Sequence, residues 1–164
     1  MVAEGNSAPN VRVVDGTGTG PTAVASYDAA LADANLHAYN LATLSSVVPP
    51  GSAVEAVGTA PPLGPAGGRL WTVQARTTTA GPGRAAGALG WAAGPDGGVL
   101  YEAGDAEDEA AAREQVVSGL DAARTLRNAS LPDEHIVSTA FEVPAGTYGT
   151  AVVVAAFGEA EPIG

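Results

Sequence analysis

The stretch Ser26 to Gly51 reads SYDAALADANLHAYNLATLSSVVPPG. Its first half continues a helical pattern that starts at Ala23 and runs to Leu36. Val24, Tyr27, Leu31 and Ala34 fall on one face, and Thr22 is a suitable N-cap. Its second half changes period: Asn40 to Ser46, NLATLSS, reads as a strand. Pro49 and Pro50 end that strand, because proline has no ladder donor.

Upstream, Val11 to Val14 is a short apolar run that reads as a strand. Asp15 to Thr22, DGTGTGPT, follows as a glycine-rich turn. It stands between strand and helix, where phosphate-cradling loops occur, but it fits neither GxGxxG with its downstream acid nor GxxxxGKS. Its other reading is a close backbone approach to a neighbouring active site. Downstream, Gly51 to Gly68 is rich in glycine, proline and alanine, with a short strand at Val54 to Val57. Leu70 to Thr79 is a strong strand. Ala85 to Ala93 and Val99 to Glu102 are two more, separated by the turn signal GPDGG.

Asp105 to Asn128 is the best helix. Asp105 can cap it, and Glu107, Asp108 and Glu109 suit the positive end of its dipole. Arg124 and Arg127 lie near the other end. Val116, Val117, Leu120 and Ala123 form its apolar stripe. Strands near His135 to Val143 and Tyr148 to Phe157 close the chain. Seven or eight strands and two helices predict an α+β domain with antiparallel or mixed sheets and outer helices. This is an αββα layered sandwich, one domain over residues 1–164.

The 164 residues, 46% of them apolar, suffice for a packed core. There is no apolar run near the length of a membrane span and no secretory signal pattern, so a cytoplasmic protein is expected. Cysteine is absent, which removes disulfides and thiolate chemistry. Lysine is absent too, all seven basic residues being arginine. That excludes a pyridoxal phosphate enzyme, which needs a lysine Schiff base, and a Walker A loop. A net charge of −11 argues against nucleic acid as a partner. It suits a cationic substrate, although acidity without lysine is also the general habit of proteins from salt-loving archaea.

His37 and His135 are far apart and show no metal-ligand spacing, so no metal is expected. Asp28 lies at the edge of the first helix's apolar face, where it forms a local ion pair or receives a guanidinium. Asp33 points away and is expected to be solvated. The pair Ser45-Ser46 ends a strand before VVPPG. In isolation two such serines are ordinary turn residues. They also permit one specific reaction. The Ser46 hydroxyl attacks the Ser45 carbonyl carbon and the acyl group shifts from nitrogen to oxygen. Elimination from the ester leaves dehydroalanine on the downstream piece. Hydrolysis then releases ammonia and leaves a pyruvoyl group. The prolines nearby fix φ and would hold the loop for it.

The stretch Ser26 to Gly51 closely resembles the core of the pyruvoyl-dependent arginine decarboxylases. GTGTGPT resembles that family's opening. GGVLYEAG, Gly97 to Gly104, resembles the segment with its catalytic glutamate, and TAVVVAAFG, Thr150 to Gly158, its last strand. The resemblance covers nearly all the chain after about residue 10, and is nearest in wording to haloarchaeal members.

The resemblance implies cleavage between Ser45 and Ser46 into a β chain, residues 1–45, and an α chain, residues 46–164. Ser46 becomes the covalent pyruvoyl cofactor, derived from the chain itself. Asn40, in the matching YNL, stands by it and assists its formation or positioning. Asp28 falls where the family binds the substrate guanidinium, and Glu102 where it has its proton donor, a role that asks for burial. Tyr27 replaces the phenylalanine more usual before that aspartate. The implied reaction takes arginine to agmatine and carbon dioxide, the carboxy-lyase step of polyamine biosynthesis. The implied assembly is a trimer of cleaved αβ units with active sites between subunits, and trimers can pair. Three alternatives stay open: the same chemistry on another amino acid such as histidine or aspartate, an uncleaved trimeric binding protein, and a nucleotide-binding domain built on GTGTGPT.

Overall fold

The computed structural model describes residues 10–105 and 108–164. Nine strands and two helices follow one another as β1 (Val11–Gly20), α1 (Ala23–Asp33), β2 (Asn40–Thr43), β3 (Val47–Val48), β4 (Val54–Gly58), β5 (Arg69–Ala80), β6 (Gly83–Gly94), β7 (Gly97–Asp105), α2 (Glu109–Arg127), β8 (Asp133–Val143) and β9 (Tyr148–Glu161). They form a mixed five-stranded sheet, in the order β2-β5-β9-β1-β4, and an antiparallel four-stranded sheet, β3-β7-β6-β8.

Buried apolar clusters lie between the four layers. Val14, Leu31, Leu36, Leu70 and Val152 join α1 to the first sheet. Val11, Val13, Val73, Leu89, Trp91, Leu100 and Val153 fill the space between the sheets. Val99, Val116 and Leu120 join the second sheet to α2. The αββα sandwich expected from element counting is therefore the fold.

The glycine-rich segment differs from its reading as a turn. It is the second half of β1, paired with β9 along its whole length from Val11 opposite Phe157 to Gly20 opposite Tyr148. The glycines are there because α1 crosses this strand at backbone contact. A Cβ at Gly16 would lie 2.3 Å from the Ala30 carbonyl oxygen, and one at Gly18 would lie 2.4 Å from the Ala30 nitrogen. Any side chain would push the helix off the sheet. Gly18→Ala is therefore expected to cost about 1–3 kcal/mol, the range for overpacking. A thermal melt in high salt should show the lowered midpoint, and an unchanged midpoint would mean that α1 yields freely.

Thr22 caps α1 as expected, its Oγ1 accepting from the Ala25 N–H at 3.1 Å. The buried face is rotated from the expected one. Ser26, Ala30 and Leu31 are buried, while Val24 is 77% exposed. A polar residue leads that face because it is fully satisfied. The Ser26 hydroxyl donates to the Ala23 carbonyl and meets Thr150 Oγ1 at 2.6 Å, and Thr150 meets Thr78 Oγ1 at 2.7 Å. The helix also ends earlier, at Asp33, with Asn35 in the left-handed region. Asp33 is not merely solvated. Its Oδ2 accepts from the Thr17 N–H at 3.0 Å, on the part of β1 that has run past its β4 partner. Burial, and then the nearby Asp33 carboxylate, push the Asp15 carboxyl above its ordinary value.

The long helix starts at Glu109 with Asp108 as N-cap, its side chain accepting from the Ala110 N–H at 2.9 Å. Asp105 instead ends β7, and Glu107 lies outside the described residues. Asn128 closes the helix in the left-handed conformation. Val117 falls outside the buried stripe and is partly exposed.

The segment read as one strand from Asn40 to Ser46 is divided between the sheets. Residues Asn40–Thr43 pair in parallel with Arg69–Thr72 of the first sheet. Val47 and Val48 pair antiparallel with Val99 and Gly98 of the second. The Ser45-Ser46 bond is thus the crossing from one sheet to the other.

Candidate active site

The crossing is held from both sides by backbone bonds. Leu44 N–H donates to the Thr72 carbonyl at 2.9 Å, and Leu100 N–H donates to the Ser46 carbonyl at 2.9 Å. Between them, Val47 N–H donates to the Ser45 carbonyl oxygen at 2.9 Å. That bond bears directly on self-cleavage. Attack by Ser46 Oγ would place negative charge on the Ser45 oxygen, and a backbone donor already points at it.

Ser46 is half-buried, and its Oγ donates to Glu102 Oε1 at 3.3 Å. Glu102 comes to this place through strand alternation. Leu100 and Gly104 of β7 face the first sheet, Leu100 in the core between the sheets and Gly104 against Thr77 and Arg76. Glu102, between them in the same alternation, faces that way too and is half-buried. Tyr101 points the opposite way, onto Gly119 of α2.

Ser45, Ser46 and Glu102 line one cavity of about 400 Å³ with Val47, Leu100, Tyr101, Leu126 and Arg127. A second cavity, of about 360 Å³, lies on the other side of Glu102 and is lined by Thr43, Gln74 and Arg76. Glu102 is the residue common to both. The second cavity leads toward α1. The Tyr27 hydroxyl donates to Gln74 Oε1 at 2.6 Å, and the Arg76 guanidinium lies 4.2 Å from the centre of the Tyr27 ring. The tyrosine at this position thus uses its hydroxyl, which a phenylalanine could not.

Of the residues singled out in the sequence, the structure brings Ser45, Ser46 and Glu102 together. Asn40 lies at the start of β2, outside the cavity lining, where its Nδ2 donates to the Gly67 carbonyl at 2.8 Å. Asp28 is exposed on the outward face of α1, one turn from Val24, and outside that lining too. It has no hydrogen bond or ion pair among the described residues. His37 is exposed, and the His135 ring packs on Trp91 at 5.3 Å between centroids. No cluster of metal-ligating side chains occurs among the described residues.

The pattern of the pyruvoyl-dependent arginine decarboxylases matches residues 10–162. Two proteins named pyruvoyl-dependent arginine decarboxylase, from the R1 and NRC-1 strains of Halobacterium salinarum, are each 43% identical to this chain over 157 residues. The match covers 94% of this chain and 98% of each relative. The chain belongs to the pyruvoyl-dependent arginine decarboxylase family. The family's cofactor is a covalent pyruvoyl group, and the donor set around Ser46 fits its formation. The hydroxyl, the polarised Ser45 carbonyl and an acceptor at Glu102 are all in place, and no lysine is available for the pyridoxal alternative.

Sequence reasoning missed the Val47 N–H donor, Gln74, Arg76 and Arg127. A backbone donor leaves no trace in side-chain pattern. Gln74 and Arg76 read as surface positions of a strand, and Arg127 reads as a cation complementing a helix C-terminus.

Proposed function

We propose that this chain cuts itself between Ser45 and Ser46 and then decarboxylates arginine to agmatine and carbon dioxide. The observation that carries the reading is the placement of the Ser46 hydroxyl, the Val47 N–H on the Ser45 oxygen and the Glu102 carboxylate around one bond. The pyruvoyl group supplies an electron sink for the carboxylate's departure, as pyridoxal phosphate does elsewhere. Everything else is the work of this chain's own residues. Glu102, half-buried between two cavities, holds the proton that the former α carbon receives. Leu100, buried between the sheets, gives the reacting end an apolar wall. A role for Asn40 in forming or holding the group rests on the family resemblance alone, since its Nδ2 donates to the Gly67 carbonyl outside the cavity.

The two pieces stay together after the cut. The piece 1–45 carries β1, and β1 lies between β4 and β9 in the first sheet. Cleavage at the crossing leaves each new end tied to its own sheet.

Asp28 receives the substrate guanidinium. Its carboxylate has no partner among the described residues, and its turn of α1 is fastened by Tyr27 to the Gln74 and Arg76 wall of the second cavity. An exposed valine beside that carboxylate fits a seam between copies better than open solvent, as does the exposed apolar rim of Val47, Tyr101 and Leu126 around the cavity. This supports a trimer of cleaved units with active sites at the seams. Among the described residues no helix is long and apolar enough to cross a membrane, which agrees with a cytoplasmic enzyme.

Release of labelled carbon dioxide from arginine, histidine and aspartate, each offered in turn to the self-processed protein, tests the reading. Arginine should dominate, and preference for another amino acid would overturn the substrate. Asp28→Asn should raise KM for arginine by roughly tenfold or more, the value of a charge-assisted bidentate contact. Unchanged turnover and affinity in that variant would remove Asp28 from the site.

A further inference from the structure

We propose that Arg127 receives the α-carboxylate of the amino-acid substrate, and so lets the enzyme hold its substrate more tightly than its product. The proposal rests on the decarboxylase reading above. Arg127 lines the same cavity as Ser46 and Glu102, and it is the one cationic side chain among those lining residues. The remaining walls are mostly apolar, among them Val99, Leu100, Tyr101 and Ala122. The α-amine and α-carboxylate of an amino acid share one carbon. A substrate whose amine reaches the Ser46 position therefore carries its carboxylate into this cavity.

Arg127 is free to meet it. Its Nη1 donates to the Ala123 carbonyl at 3.3 Å, and the side chain has no ion pair among the described residues. The chain has 18 acidic residues for seven basic ones. Arg69, Arg84 and Arg124 each hold a carboxylate. Arg12, Arg76, Arg113 and Arg127 hold none among the described residues, and of these four Arg127 alone lines the cavity that contains Ser45 and Ser46. Its position in the last turn of α2 also answers the helix dipole, but that role engages only the Ala123 carbonyl and leaves the other N–H groups of the fork unused. A planar guanidinium matches a carboxylate bidentately.

The consequence lies in affinity. The contact exists in the bound substrate and ends when carbon dioxide leaves, so it lowers KM without raising kcat. The product amine has no carboxylate and carries positive charge that Arg127 repels.

The test compares self-processed wild type with Arg127→Gln and Arg127→Lys, measuring KM and kcat for arginine and the inhibition constant for agmatine. For Arg127→Gln, KM should rise about tenfold or more, kcat should stay within about threefold, and agmatine should bind as well as before or better. Arg127→Lys should recover part of the KM. Parallel weakening of arginine and agmatine would show a merely structural role and overturn the proposal, as would an unchanged KM. Should Arg127→Gln fail to fold, the wild type decides. Argininamide, which lacks the carboxylate charge, should inhibit at concentrations about tenfold or more above KM for arginine. Equal affinity would overturn the proposal. Wild type that releases no carbon dioxide from any amino acid would instead defeat the decarboxylase reading itself.

Discussion

Ser46→Ala is expected to give a single intact chain of 164 residues with no decarboxylase activity above background. One atom accounts for both losses. On the proposed route the Ser46 hydroxyl oxygen attacks the Ser45 carbonyl, and the same oxygen then leaves Cβ with the Ser45 acyl group in the elimination that opens the way to the pyruvoyl group. No neighbouring nucleophile can substitute. Cysteine and lysine are absent from the chain, and the Ser45 hydroxyl precedes the bond instead of following it. The fold should survive. Ser46 is held in place by its backbone, through the Leu100 N–H on its carbonyl, and its side chain makes one long contact at 3.3 Å. A denaturing gel and a thermal melt of the variant check both statements. Two fragments from Ser46→Ala would mean that the chain is cut elsewhere or by another agent.

Glu102→Gln separates the two chemistries that share the cavity. Cleavage should proceed, because the amide oxygen still accepts from Ser46 Oγ and the Val47 N–H still faces the Ser45 oxygen. Decarboxylation should fall by roughly 10²- to 10⁴-fold, the usual contribution of a positioned general acid, since an amide has no proton of suitable acidity to give. Fragment yield from a denaturing gel and turnover from carbon dioxide release read the two steps independently. If cleavage were lost along with turnover, Glu102 would belong to processing or to the structure instead.

Much of this architecture was legible in the residues because it follows from periodicity. β5, β6 and α2 carry strong patterns, and each lies within a few residues of where its pattern places it. Legibility failed where the cause is a contact between distant segments. Gly16 and Gly18 read as a turn because glycine weakens a strand by itself. Only the approach of Ala30 across β1 explains why they must be glycines there. Val24 fits the helical stripe, yet the contact of Ser26 with Thr150 rotates α1 and turns Val24 outward. NLATLSSVV shows no break at Thr43, since both of its halves are extended. The division between two sheets is fixed by Arg69–Thr72 on one side and Gly98–Val99 on the other. The same holds for the site. Ser46 and Glu102 are named by the family resemblance of their segments, whereas the Val47 N–H and the Arg127 side chain reach the same cavity only through the fold.

The central claim is that the sheet-to-sheet crossing at Ser45-Ser46 is a bond the protein breaks in itself. The intact mass of the purified wild-type protein, taken under denaturing conditions after folding in high salt, tests it most directly. The account predicts two species, residues 1–45 and 46–164, the larger one lighter by one ammonia than a peptide beginning with serine and reactive toward a carbonyl reagent. A single full-length mass that persists over days in high salt would contradict it.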